Sequence, residues 1–417
     1  MSEQLPIALS VDEALQNFLQ ETVEYKTCEE LLNVEDSLGR ILYEDVVAKN
    51  DFPADDKTLI DGYAVNSQDV ATADETTPVT LELIGESNVD SVGIYTLEKN
   101  QALKVSKGSR MPKNADAVIM PEYTLSKDSS VKIFASVLSG ADVAQKGEDI
   151  KEGEVFIIKQ RKIRPQDIGG IIGLGYRQVN VFKRPTVSII PTGSELVPID
   201  IEPEPTQVIA SNSYMLKDSV EQLGGSGKIT SIVRDELKLV RNAIIKALEV
   251  SDMIIVSGGS AIGMKDYTYK AVKSIEGSKI IAHCTKMKPG RHVLLATING
   301  KPVIGLPGHP VSCMIAFHVF AKPVLRKLSG DPRSFWQIIK DNPTIKATLT
   351  KNITSPLEDD HFVRVRLKQL EDGRITAYPF TGKSSFLSTL VKSHGIIKVP
   401  ADCTAVYEGD VVEVSLF

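Results

Sequence analysis

Residues 252–259 read DMIIVSGG, a short apolar run that stops at paired glycines. Four consecutive apolar residues ending in a turn signal suit a strand buried on both faces. On either side, ELKLVRNAIIKALEV (236–250) and DYTYKAVKSI (266–275) place apolar residues at helical spacing. Further out, TVSIIPTG (186–193) and KITSIVRD (228–235) are strand-like, and SYMLKDSVEQLGG (213–225) is helical. Apolar strands alternating with amphipathic helices predict a doubly wound parallel sheet. Such sheets bind ligands at the carboxyl ends of their strands. Two glycine-bearing turns stand at such ends, PTGSE at 191–195 and SGGSAIG at 257–263.

The flanks have a different texture. Ser10 followed by Glu13 predicts a capping box opening a helix whose Val11, Ala14, Leu15, Phe18 and Leu19 share one face. From about 49 to 153 short β-type runs such as VTLELIG and VKIFASVL are broken by Gly, Pro and Asp, predicting a β-rich domain. From about 331 the chain returns to β character, with FVRVRLKQL and RITAYPF flanking a hairpin signal at Glu371-Asp372-Gly373. At 417 residues the chain exceeds one ordinary core. Its net charge of −6 disfavours nucleic acid and anionic membranes as partners. No apolar run approaches a membrane span, and no secretory signal opens the chain. Cys28, Cys284, Cys313 and Cys403 lie far apart and predict reduced, mostly buried thiols in a cytoplasmic protein.

Several turns suit anions. In SGGSAIGMKDY (257–267), adjacent glycines let the backbone approach a ligand, and Asp266 could face it through Mg²⁺ or accept from a heterocycle. KMKPGRHV (286–293) sets Lys286, Lys288 and Arg291 around a Pro-Gly turn, as an oxyanion or phosphate requires. GLPGHPVS (305–312) is a rigid turn leading into a helix, so that backbone amides and Ser312 converge, with His309 between the prolines. Asp61, Asp149, Glu195, Asp235 and Asp266 each stand beside a turn. Any one of them alone reads first as a cap or a solvated turn, whereas together they fit a Mg²⁺-dependent site handling phosphate and another oxyanion. The phosphate-loop, dinucleotide, zinc-hydrolase and serine-hydrolase motifs are absent from the sequence.

In this order, FPADDKTLIDGYAV (52–65), RMPKNADAVIMPE (110–122), KGEDIKEGE (146–154), KRPTVSIIPTGSELV (183–197) and SNSYML (211–216) resemble the molybdopterin molybdotransferase family, as do SGGSAIGMKDY, KMKPGR, residues 301–330 and HGIIKVP (394–400). The resemblance implies an α/β multidomain chain. An elongated connecting domain would comprise 29–48 and 154–183, and the β-rich domain 49–153. The doubly wound molybdopterin-binding domain would comprise 9–28 and 184–330, and a β-barrel-like domain 331–417. It further implies a homodimer that inserts molybdate into adenylylated molybdopterin with release of AMP, using Mg²⁺. Asp61, Asp149, Glu195, Asp235 and Asp266 match the family's functional acids. Glu195 and Asp266 are expected to bind the metal or pterin nucleotide, and Asp61 and Asp149 to serve the cleft of the other subunit. Gly193, Ser257, Gly258, Gly259 and Ser260 match its pterin-side turns. Lys288, Arg291, Ser312 and Arg364 match its molybdate side, with Pro307, Gly308 and Pro310 shaping the turn between. Departures fall at Lys107, Ala144, Pro191, Ala261 and His309. A non-catalytic scaffolding member and a stand-alone adenylyltransferase are the alternatives.

Overall fold

The structure, a computed structural model, describes residues 8–22, 28–259, 266–331 and 343–417. The chain forms two compact units, Leu31–Asn180 and the remainder.

In the larger unit, helix α1 (Val11–Thr22) starts where the sequence predicts. Glu13 N–H donates to Ser10 Oγ at 3.3 Å, and Ser10 N–H donates back to the Glu13 carboxylate at 3.1 Å. These reciprocal bonds satisfy two donors that a helix start leaves without partners. The Ser10 hydroxyl, donating to the Glu13 carboxylate at 2.7 Å, and then the Ser10 N–H hold that carboxyl below its usual pKa. The predicted apolar face of α1 is buried in one cluster with sheet residues Val187, Ile255 and Leu295.

That sheet is built from β1 (Thr186–Pro191), β2 (Ser226–Ile229), β3 (Met253–Ser257), β4 (Ser278–His283), β5 (Leu294–Ile298) and β6 (Lys301–Leu306). Their spatial order is β2-β1-β3-β6-β5-β4. The first four strands are parallel, with Ile255 opposite Ile189 on one side and Ile304 on the other. Every residue of β3 is buried, which explains its unbroken apolar run. Helices α2 (Ser211–Gln222), α3 (Leu237–Val250) and α4 (Tyr267–Lys273) complete the crossovers. Buried residues of α2 share the cluster of α1, whereas those of α3 and α4 form a second cluster. Helices therefore cover both faces.

The expected doubly wound parallel sheet carries an antiparallel edge. β5 and β6 are an antiparallel hairpin, and β4 pairs antiparallel with β5. Asn299 and Gly300, both at positive φ, make the turn. Asn-Gly is the residue pair that a two-residue hairpin favours.

Behind β6, α5 (Pro310–Ala316), a π-helical turn (Phe317–Ala321) and α6 (Lys322–Leu328) run as one rod. Strands β7 (Thr344–Leu349), β8 (Asp360–Gln369), β9 (Ile375–Pro379), β10 (Gly395–Val399) and β11 (Val411–Leu416) follow. Each pairs with two others, in the ring β8-β9-β7-β11-β10-β8, which is a closed five-stranded barrel. The predicted hairpin at 371–373 joins β8 to β9. A short strand at Met287–Lys288 adds to β8, with Lys288 opposite His361.

The smaller unit holds a six-stranded sheet made from segments between Gly62 and Ile133. Tyr63 and Val65 face one core cluster and Ala64 the other, as strand alternation requires. The run VKIFASVL is a strand only as far as Ile133. Val46–Val47 pairs with Val155–Ile157, and a helix at Pro165–Gly173 follows. Cys284 and Cys313 are buried, while Cys28 is exposed and Cys403 half-buried, so the expectation of mostly buried thiols holds for two of the four.

Candidate functional site

A cleft of about 850 Å³ opens at the carboxyl ends of β1, β3 and β6. Its wall includes Glu195, Asp235, Ser257, Gly258, Gly259, Arg291, Pro307, Gly308, Pro310 and Ser312 from the sequence expectations. Glu195 and Asp235 are its carboxylates. Asp235 N–H reaches Ser194 Oγ at 3.4 Å, which brings these two acid-bearing turns side by side. Asp61 and Asp149 are exposed and belong to the smaller unit. Asp61 Oδ1 accepts from the Lys107 N–H at 2.8 Å, which uses the backbone rather than the side chain of that departure. The expected contact at Ser260 lies outside the described residues, as does Ala261.

The paired glycines have a packing reason as well as a ligand-approach reason. Both have positive φ, and a Cβ on Gly258 would come 2.2 Å from Thr192 O. A Cβ on Gly259 would come 2.9 Å from the hydroxyls of Thr192 and Thr268. Two strand ends can meet here only because neither glycine has a side chain. Gly308 differs, since the nearest atom to a Cβ there is 3.9 Å away. A Cβ on Gly193 would strike the Glu195 carboxylate at 2.8 Å.

Asp266 has another occupation. It is 3 % exposed, does not line the cleft and caps α4, its Oδ1 accepting from Tyr269 N–H at 2.9 Å. Its Oδ2 lies 2.7 Å from His283 Nε2, and the His283 ring stacks on Tyr269 with centroids 4.3 Å apart. Both carboxylate oxygens are therefore engaged, as in a cap. Among the described residues no group of three or more His, Cys, Asp or Glu is arranged to hold a metal. Of the acids considered for Mg²⁺, Glu195 and Asp235 reach the cleft and fit a hard cation. Asp266 would have to give up His283 or Tyr269 to join them.

The basic turn is fastened to the barrel. Asp360 N–H donates to Lys286 O at 2.9 Å, and one Arg291 nitrogen reaches both Asp359 oxygens, at 2.7 and 2.6 Å. Lys288 is exposed and outside the cleft lining. Arg364, on β8, is 5 % exposed. One of its nitrogens donates to Gly382 O at 3.0 Å, but its Nε and Nη1 are buried without partners, as is Nδ1 of His361. Burial holds the Arg364 guanidinium below its usual pKa. Burial, then Lys288 and Arg364, lower that of His361. The segment after Gly382 leads back to the cleft. Ser384 O accepts from Val311 N–H at 3.1 Å, Ser384 Oγ lies 3.1 Å from His309 Nδ1, and Ser385 lines the wall. His309 is thus held by the barrel.

Four participants were not legible as site residues. Thr192, His292, Asn212 and Ser213 all line the cleft. SNS at 211–213 reads in a sequence as an ordinary helix start, because Ser and Asn favour caps. His292 follows the basic turn, and burial, then Arg291, lower its pKa.

Fold and cleft define a multidomain protein with a ligand-sized cleft at the strand ends of a doubly wound domain, and the comparisons specify the family. Residues 9–175 match the family model "MoeA N-terminal region (domain I and II)". Residues 188–327 match "Probable molybdopterin binding domain", and 346–417 match "MoeA C-terminal region (domain IV)". A Staphylococcus epidermidis protein named molybdopterin molybdenumtransferase is 30% identical over 416 residues, covering 100% of this chain and 97% of that one. A Staphylococcus aureus protein of the same name is 30% identical over 386 residues, covering 92% and 90%. The crystal structure of the molybdopterin biosynthesis MoeA protein from Pyrococcus horikosii superimposes with a TM-score of 0.86 at 29% identity, covering 98% of this chain and 99% of that one. The chain belongs to the MoeA family of molybdopterin molybdenumtransferases. Its role lies in molybdenum cofactor biosynthesis.

Proposed function

We propose that this chain transfers molybdate into adenylylated molybdopterin and releases AMP, working as a cytoplasmic homodimer with Mg²⁺. The observation that carries the oxyanion half of this reading is Arg364. A buried guanidinium with two unpartnered nitrogens costs several kcal/mol unless an anion completes it. Lys288 and His361, paired across neighbouring strands, add positive charge and a further donor beside it. Together with Arg291 they offset the repulsion between molybdate and the phosphates of the nucleotide substrate. Arg364, Lys288 and His361 stand outside the lining of the cleft, whereas Arg291, the Ser312 hydroxyl and the turn Pro307–Pro310 border it and suit the phosphate or oxyanion.

Glu195, with Asp235 from the neighbouring turn, would hold Mg²⁺, replacing the expected pair of Glu195 and Asp266. The ion would neutralise charge at the phosphoanhydride. Asp61 and Asp149 are assigned to the cleft of the second copy, following the family resemblance. Among the described residues no helix is long and apolar enough to cross a membrane. The test supplies purified protein with adenylylated molybdopterin, Mg²⁺ and molybdate, then measures AMP and completed cofactor. AMP release that needs all three supports the reading, and its absence with folded protein overturns it.

A further inference from the structure

The first turn of α2 lines the cleft with Ser211, Asn212 and Ser213. Two side-chain atoms there, Asn212 Oδ1 and Ser213 Oγ, are buried and have no hydrogen-bond partner. Native structures rarely leave such atoms unsatisfied, and those in a ligand cleft are the natural exceptions. The Asn212 amide is oriented, because its Nδ2 donates to Gly308 O at 2.8 Å. That bond turns one amide N–H to Gly308 and leaves the buried acceptor oxygen for a ligand. Ser213, 1 % exposed, adds a hydroxyl that can donate or accept.

An acceptor repels phosphate and molybdate oxygens. It is satisfied by an N–H. We propose that Asn212 and Ser213 read the N–H edge of an amine-bearing nitrogen heterocycle, and so place the substrate's base rather than its phosphates. The inference rests on the proposed function for its substrate, which carries such an edge at both ends, in the pterin and in adenine. Both sources offer the same chemistry, an exocyclic amine on an aromatic ring, so matched analogues separate them.

The experiment measures equilibrium binding to the intact protein of AMP against IMP, and of pterin-6-carboxylate against its 2-oxo analogue lumazine-6-carboxylate. Each pair exchanges an amine for a carbonyl. In the wild type one pair should differ by about tenfold in favour of the amine, and which pair differs identifies the heterocycle. Asn212→Leu should weaken the amine-bearing ligand and remove the difference. Because Asn212→Leu also frees the Gly308 carbonyl, Ser213→Ala is the second variant. It breaks no bond present in the free protein, so its thermal midpoint should not fall, while binding of the same ligand drops severalfold. The proposal fails if neither pair discriminates, if none of the four binds at millimolar concentration, or if discrimination survives both substitutions. No AMP release in the transfer assay, with discrimination intact, would instead overturn the reaction and leave this recognition standing.

Discussion

Lys322 begins α6 and lines a second cavity, of about 370 Å³, between the helical rod and the barrel, where it is 8 % exposed. No ion pair to it is found among the described residues, and Arg326 lies one turn further on. Burial first, then Arg326, push the amine down from 10.5 to about 8. Burial, then the same two cations, depress His318 to about 3, so this neighbour is neutral at pH 7. The sign of the Lys322 contribution follows from proton binding. Below pH 8 both folded and unfolded chains hold the proton, and the fold carries the full cost of the buried charge. Between about 8 and 10.5 the unfolded chain binds more protons, so stability rises with pH. The drop from 10.5 to about 8 corresponds to about 3 kcal/mol. Lys322→Met keeps most of the side-chain volume and removes the charge, so it should stabilise the larger unit at pH 7 by roughly 1–3 kcal/mol. That raises its thermal midpoint by roughly 3–8 °C. Circular-dichroism melts of both proteins at pH 7 and at pH 10.5 provide the assay. The gap should be large at pH 7 and nearly closed at pH 10.5. A variant no more stable at pH 7, or a gap that persists at high pH, refutes the reasoning.

Other expectations concern the cleft. Asp359→Asn should release Arg291 and lower the molybdate concentration for half-maximal AMP release by roughly two- to fivefold, the range of a partly exposed pair; an increase would make Asp359 a positioning residue instead. Arg364→Leu should raise that concentration by roughly 10- to 100-fold, the worth of a charge-assisted contact. Removing a buried charge offsets the lost bond to Gly382 O, so its melting temperature should not fall, and an unchanged molybdate dependence would strip Arg364 of its oxyanion role. Mixing Asp61→Ala chains with Glu195→Ala chains should restore activity above that of either alone, if each cleft draws on two copies. No recovery after demonstrated subunit exchange would count against the shared cleft.

Features that depend on near neighbours were legible in the sequence. The Ser10–Glu13 box, the buried run at 253–257 and the hairpin at 371–373 each need only residues a few positions apart. Asn299-Gly300 is an equally local hairpin signal, which the reading by alternating strands and helices leaves out. The site was harder because its side chains choose partners far along the chain. Asp266 alone reads as a cap and within the family resemblance as a metal or pterin ligand, and what decides is His283, seventeen positions later, on the second oxygen. Arg291 meets Asp359 from the barrel, 68 positions on, and nothing in KMKPGR announces that carboxylate. Asn212 and Ser213 resemble cap residues until their unsatisfied atoms are seen against the cleft.

The strand Met287–Lys288 belongs by position to the doubly wound half but by hydrogen bonding to the barrel. The barrel therefore acts as a splint. Lys288 is held against β8, itself clamped between β9 and β10, while the Arg291 carbonyl is tied back to Thr285 N–H inside the doubly wound half. Loosening the barrel would spare the turn at 257–259, whose bonds run to Thr192, Leu306 and Thr268, while slackening the barrel side of the basic turn. The glycine turn and the basic turn thus have separate mechanical foundations, and sequence change in the barrel reaches the basic turn through backbone pairing as well as through side chains such as Asp359.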